Sequence, residues 1–257
     1  VIPVLTVGGV AIQTRGLVML VAFWLAFQVV DWAARRVDLD PDDFWNAGLV
    51  AFLAGMLGAR LGYVVQFWPI YRASPTTALA LNVRDMSWPV GVLVGLLVLA
   101  GWLYRAGIPL RRAADVLSIG LAVAWAVAGV GAFLSGDAYG TPTTMPWGVE
   151  LWGARRHPVQ LYEALAGVAV AVWLWRRLDR RPFDGWLAVV GAALMAGGRL
   201  VVEAFRATSA LVAGEYRLRQ LQMWLIVLGA LALLAWLERE GKAESDDSAE
   251  ARKEVVP

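Results

Sequence analysis

Four charged residues stand out inside long apolar runs: Arg60 in GARLGYVV, Glu163 in QLYEALAG, and Arg199 and Glu203 in GGRLVVEAF. Three more stand close to such runs: Asp137 in FLSGDAYG, Arg206 just after Glu203, and His157, the chain's one histidine. His157 opens the polar stretch HPVQLYE, which also holds Gln160, Tyr162 and Glu163 and leads directly into ALAGVAVAVWLW. A guanidinium presents a rigid fork of N–H donors that matches phosphate oxygens. The three arginines gathered inside these runs and beside them, Arg60, Arg199 and Arg206, favour an anionic guest. The competing reading is a salt-bridge network: Arg199 and Glu203 are spaced i, i+4 and can pair, and Glu163 can neutralise Arg60. Charge buried in an apolar medium costs about 2.5–3.5 kcal/mol per residue on insertion scales, so residues kept there default to a functional site. A lone histidine is a weak sign of catalysis.

The elements that position these residues follow from composition. The 257-residue chain is 59% hydrophobic with 14 Trp, whereas soluble domains are about 45–50% apolar. Seven apolar segments are long enough to cross a bilayer: 16–34, 45–68, 88–104, 113–135, 159–175, 185–205 and 219–237. The expected fold is all-α, a polytopic membrane domain over residues 1–237. A charged cytoplasmic tail, 238–257, is expected to lack order. The stretches PDD, RAGIP, TPTTMP and RRPFDG separate the spans. No cleavable signal peptide is read at the N-terminus. Ala54, Gly58 and Gly62 form a small-xxx-small row suited to close helix packing. Most of the tryptophans read as interfacial anchors.

Lys and Arg concentrate on one side of the spans, at Arg35, Arg36, Arg105, Arg111, Arg112 and the WLWRRLDRR edge of the fifth segment. That side is expected to be cytoplasmic, with the N-terminus outside and the C-terminus inside. The intramembrane charges then fall in the outer halves of their helices, and a phosphate reaching them is a phospholipid headgroup. The net charge of +2 gives no case for nucleic acid, and the absence of cysteine excludes disulfides, zinc thiolates and a thiol nucleophile. No metal or cofactor is expected.

From about residue 8 to residue 235 the sequence resembles the prolipoprotein diacylglyceryl transferase family of bacterial inner-membrane enzymes. RHPVQLYEA resembles its His-Pro-x-Gln-Leu-Tyr-Glu motif, and GVGAFLSGDAYGTPT resembles its Gly-Arg-x-Gly-Asn-Phe-x-Asn-Gly-Glu-x-x-Gly signature. GARLGYVV, GGRLVVEAFR and RQLQMWLIVLG resemble further family stretches in the second, sixth and last spans. The resemblance implies transfer of diacylglyceryl from phosphatidylglycerol to a lipobox cysteine of a prolipoprotein signal peptide, in the bacterial cytoplasmic membrane, with glycerol phosphate leaving. It implies a phospholipid site of Arg60, Arg199, Glu203, Arg206, Asp137, Gly140, Gln160 and Tyr162, with Gly140 shaping the mouth and His157 or Glu163 helping with the thiol proton. The sequence departs from the pattern where the family's Phe-His-Gly-Gly reads Trp88-Pro89-Val90-Gly91, where the signature Arg is Gly129, and where Tyr-Gly of the first span is Arg15-Gly16. These losses support an alternative, a non-catalytic relative that binds phospholipid or a membrane-protein partner. Arg15 is a candidate spatial substitute.

Overall fold

The computed structural model describes residues 4–7, 10–73, 75–79, 85–212 and 216–254. Seven long helices carry the fold: α1 (Thr14–Arg36), α2 (Pro41–Gln66), α4 (Trp88–Arg105), α5 (Leu110–Ser135), α6 (Val159–Arg177), α7 (Trp186–Glu203) and α8 (Leu218–Glu254), with a one-turn α3 (Trp68–Tyr71). Six are long and apolar enough to span a membrane; α6 is 19 residues long and carries Glu163, Arg176 and Arg177. The protein is a multi-pass membrane protein. The expected segments match the helices to within a few residues, except at the end of the last. The tail expected to be disordered continues α8 as far as Glu254; its EREGKAESDDSAEARKE run is rich in Ala, Glu, Lys and Arg, which favour helix. Residues 255–257 lie outside the described residues.

Among the described residues there are also three short antiparallel hairpins, which were not expected from the sequence: β1 (Val4–Val7) with β2 (Val10–Gln13), β3 (Val149–Leu151) with β4 (Ala154–Arg156), and β5 (Leu211–Val212) with β6 (Tyr216–Arg217). The β3–β4 register pairs Leu151 with Ala154. Its two turn residues, Trp152 (φ 55°) and Gly153 (φ 74°), both take positive φ, the twist that a two-residue hairpin loop requires.

Helix ends follow local rules. Asp40 caps α2 by accepting from the Asp42 backbone N–H at 2.9 Å, ahead of Pro41. Three helices close with a left-handed residue and a bond from the next N–H back to a carbonyl five residues earlier. They are α1 at Asp38 (Leu39 N to Ala34 O, 3.0 Å), α4 at Gly107 (Ile108 N to Leu103 O, 3.0 Å) and α5 at Gly136 (Asp137 N to Ala132 O, 3.0 Å).

The chain forms two compact units, residues 34–113 and residues 1–33 with 114–257. In the first, α2 and α4 pack through small residues. A Cβ on Gly58 would stand 2.8 Å from Val94, one on Gly62 2.9 Å from Val90, and one on Gly91 2.7 Å from the Gly55 carbonyl. The Gly58 and Gly62 positions of the predicted row thus serve close packing. In the second unit, Gly120 and Gly131 receive Val30 and Val18 of α1, Gly167 of α6 abuts the backbone of Ala126, and α7 packs along both α6 and α8. Asp115, fully buried in α5, accepts from the backbone N–H groups of Gly185 (2.8 Å) and Ala188 (2.9 Å) at the start of α7 and meets Arg181 at 3.3 Å. The large apolar side chains left exposed, such as Leu20 and Trp24 on α1, Leu96 and Leu97 on α4, and Leu225 and Leu228 on α8, suit contact with acyl chains.

Candidate functional site

The second unit gathers a site at one end of its helices. The helices alternate in direction, so this end holds the start of α1, the end of α5, the start of α6, the end of α7 and the start of α8. A cavity of about 390 Å³ there is lined by Arg15, Trp125, Gly129, Glu163, Arg199, Glu203, Arg206 and Arg219, with Gln222, Met223 and three alanines. Four guanidinium groups and two carboxylates face it.

Arg206 is the most deeply held. Its side chain is 2% exposed and pairs with Glu163 at 2.8 Å and with Glu203 at 2.9 Å, while a third N–H donates to the Ala138 carbonyl at 3.0 Å. Glu203 also accepts from the Ser209 hydroxyl at 2.5 Å, and its carbonyl accepts from Arg217. The two carboxylates accept from the buried guanidinium between them and leave Arg206 little capacity for a further anion. The i, i+4 pairing of Arg199 with Glu203 open to the sequence does not form. Glu203 pairs with Arg206, and Arg199 lies over the ring of Trp125 at 5.3 Å. Among the described residues Arg199 has no hydrogen bond or ion pair, so it is a cation with free donors on the cavity wall.

A three-ply strap turns Arg206 inward. Residues 139–143 run between residues 205–207 on one side and 154–157 on the other. The bonds are Ala207 N to Tyr139 O (3.1 Å), Thr141 N to Phe205 O (2.8 Å), His157 N to Thr141 O (3.1 Å) and Thr143 N to Arg155 O (2.9 Å). Gly140 sits at its tightest point, bridged to Arg206, and a Cβ there would stand 2.4 Å from the His157 carbonyl. Gln160, fully buried, donates to the Asp137 carbonyl at 2.8 Å. The Asp137 carboxylate accepts from Ser135 at 2.9 Å and pairs with Arg15 at 3.1 Å. His157 shares a hydrogen bond of 3.1 Å with the Tyr162 hydroxyl, which also accepts from the Trp147 indole at 2.8 Å, and its ring packs 5.1 Å from Phe205.

The predicted site residues therefore divide. Glu163, Arg199, Glu203 and Arg206 line the cavity, whereas Asp137, Gly140 and Gln160 build the strap beside it, and His157 with Tyr162 forms an aromatic cluster. Arg60 belongs to the other unit. It is 5% exposed there, stacked on Tyr71 and donating to the carbonyls of Thr77 (2.7 Å), Ala78 (3.1 Å) and Asp85 (3.0 Å). Its hydrogen-bonding capacity goes to Tyr71, Thr77, Ala78 and Asp85. Trp125 and Arg219 also line the cavity, although neither is among the site residues expected from sequence. Trp125 lies one turn before Gly129 on the same face of α5, and Arg219 directly precedes Gln220. These two placements are the signals that were available.

Gly129 lines the cavity but has no room for a side chain: a Cβ would stand 2.7 Å from the Gln160 carbonyl and 2.9 Å from the Ala164 nitrogen of α6. Arg15 stands on the same cavity wall, 64% exposed at its side chain and, among the described residues, tied only to the half-exposed Asp137. Such a surface pair is worth about 0–1 kcal/mol, so Arg15 is cheaply redirected. The cavity continues into an apolar groove of about 220 Å³, which shares Arg199, Trp125 and Met223 with it and adds Leu121, Ala192, Met195, Ala196 and Ile226. A polar chamber joined to an apolar groove is shaped for an amphiphile with an anionic head.

Residues 3–236 match the family model of prolipoprotein diacylglyceryl transferase. The chain is 31% identical over 254 residues to the phosphatidylglycerol–prolipoprotein diacylglyceryl transferase of Symbiobacterium thermophilum, covering 95% of this chain and 94% of that protein. It is 28% identical over 241 residues to the protein of the same name from Clostridioides difficile, covering 92% and 95%. With that from Cutibacterium acnes it shares 30% over 234 residues, covering 82% and 77%. The resemblance drawn from the motifs thus extends over nearly the whole length, and the chain belongs to the prolipoprotein diacylglyceryl transferase family.

Proposed function

We propose that this chain is an active transferase of the bacterial cytoplasmic membrane, moving diacylglyceryl from phosphatidylglycerol to the cysteine thiol of a prolipoprotein signal peptide. The observation that carries the reading is Arg199: a guanidinium with free donors, set where the polar cavity meets the apolar groove. The phosphate of the lipid sits in the cavity and an acyl chain in the groove. The thiol sulfur attacks the glyceryl carbon next to the phosphate ester. A C–S bond forms, the C–O bond breaks, and glycerol phosphate departs with the bonding electrons.

Arg199 offsets the charge that grows on the departing phosphate, and Arg15 adds the positive charge that position 129 cannot carry. Of the two carboxylates in the cavity, Glu163 is the more open, with a side-chain exposure of 15% against 5% for Glu203. It is the group positioned to take the thiol proton. His157 acts indirectly by holding Tyr162 and the strap in place.

A second reading, a non-catalytic relative that binds phospholipid or a membrane-protein partner, is favoured by Pro89, which has no proton to exchange, and by the closed space at Gly129. One assay separates the two. The purified protein, in vesicles containing phosphatidylglycerol, is given a synthetic lipobox peptide, and thioether product is followed by mass spectrometry. Product is expected, and Arg199→Gln should slow its formation by about 10²–10³-fold, the scale of losing one donor to developing charge. Lipid binding without product would establish the second reading.

A further inference from the structure

Arg219 and Trp125 have no part in the assignments above, yet both line the same cavity. Arg219 is exposed at the start of α8 and, among the described residues, makes no hydrogen bond or ion pair. Trp125 is 5% exposed, and its indole N–H is buried without an acceptor among the described residues. Burying such a donor unpaired is unfavourable. Arg199, stacked on that indole, has free donors as well, and the charges that reach it through space are those of Glu163, Arg219, Arg206 and Glu203. Both carboxylates are already engaged by Arg206. Two guanidinium groups therefore face one chamber without a counter-charge of their own, beside an N–H without an acceptor. The guanidinium groups lack a counter-charge and the indole lacks an acceptor, and an anion with several acceptor oxygens supplies both.

We propose that Arg219 and the indole N–H of Trp125 complete, with Arg199, a three-point binding site for a phosphate group, gripped from α8, α5 and α7 together. Arg206, expected from sequence to bind phosphate, instead fixes the cavity's two carboxylates. This assignment rests on the reading of the cavity as the substrate site. The ligand chemistry is a phosphate ester, either the diester of a phospholipid head or the monoester released as glycerol phosphate.

The test uses the full chain in nanodiscs of phosphatidylcholine. Phosphatidylglycerol is titrated in one arm and followed by native mass spectrometry; glycerol 1-phosphate is titrated in the other and followed by calorimetry. Arg219→Gln should weaken phosphate-ester binding by about tenfold or more, the worth of a hydrogen bond to a charged group. Arg219→Lys should recover part of the loss. Trp125→Phe, which keeps an aromatic face beneath Arg199, should weaken binding severalfold, and Arg105→Gln, at an exposed position on α4, should leave it unchanged. Loss in the lipid arm alone assigns the site to the diester head; loss in both assigns it to the phosphate in either form. If Arg219→Gln and Trp125→Phe bind like the unaltered chain, the proposal is overturned while the cavity reading stands. If the unaltered chain neither prefers phosphatidylglycerol to phosphatidylcholine nor binds glycerol 1-phosphate, the cavity reading itself fails.

Discussion

Arg199 and Arg206 are seven residues apart and chemically identical, yet the fold gives them opposite tasks. Arg206 is buried between two carboxylates, whereas Arg199 is exposed on the cavity wall with one aromatic neighbour. Removing one partner from a buried ionic cluster leaves uncompensated charge and costs about 3–5 kcal/mol. Arg206→Met should therefore lower the melting temperature in detergent markedly, with activity lost through instability. Arg199→Gln should melt like the unaltered chain and still turn over about 10²–10³-fold more slowly; equal melting temperatures for both variants would contradict this division. The sequence showed that charges collect here but not which arginine is free. That depends on the strap of residues 139–143 folding against Phe205–Ala207, contacts made across more than sixty residues, whereas i, i+4 spacing reports only on a helix's own surface. His157 illustrates the same limit: its motif was legible, but its place among Tyr162, Trp147 and Phe205 required the hairpin and the strap.

At the scale of elements, hydropathy located the helices because each is long and bounded by arginines, prolines or glycines. The hairpins were not legible: strands of two to four residues give too few positions for alternation to register. Asp115 also escaped notice, since a carboxylate near the end of a span reads as an interfacial charge. It is in fact the clasp between α5 and α7, capping the first N–H groups of α7 and holding Arg181. Asp115→Ala would leave two backbone donors unpaired, at about 1–3 kcal/mol each, and would leave Arg181 with Asp184 as its one carboxylate partner among the described residues. It should therefore lower thermal stability by several kcal/mol, with Asp115→Asn, which keeps one acceptor, falling between. The readout is thermal unfolding of both variants in the same detergent, and an unshifted Asp115→Ala would refute the clasp.

For the molecule as a whole, the apolar surface of the long helices sets its solvent, and arginine asymmetry sets its expected orientation. Arg35, Arg36, Arg105, Arg176 and Arg177 all close the last turns of their helices, where the helix dipole also favours positive charge. A fluorescent protein fused after Arg239 should fluoresce in cells, and alkaline phosphatase inserted after Met145 should be active outside; the reverse pattern would invert the topology and move the cavity to the wrong leaflet.

One wall of the cavity has an unusual support. Among the described side chains of α8, only Ala230 and Leu237 are buried, although this helix supplies Arg219, Gln222 and Met223 to the chamber and Ile226 to the groove. A helix leaning on its neighbour along one side is steadied on the other by whatever lipid surrounds it. The thickness and fluidity of the host bilayer thus become structural parameters of the chamber. Turnover should follow the growth temperature and fatty-acid make-up of the cell even where the protein itself is unchanged.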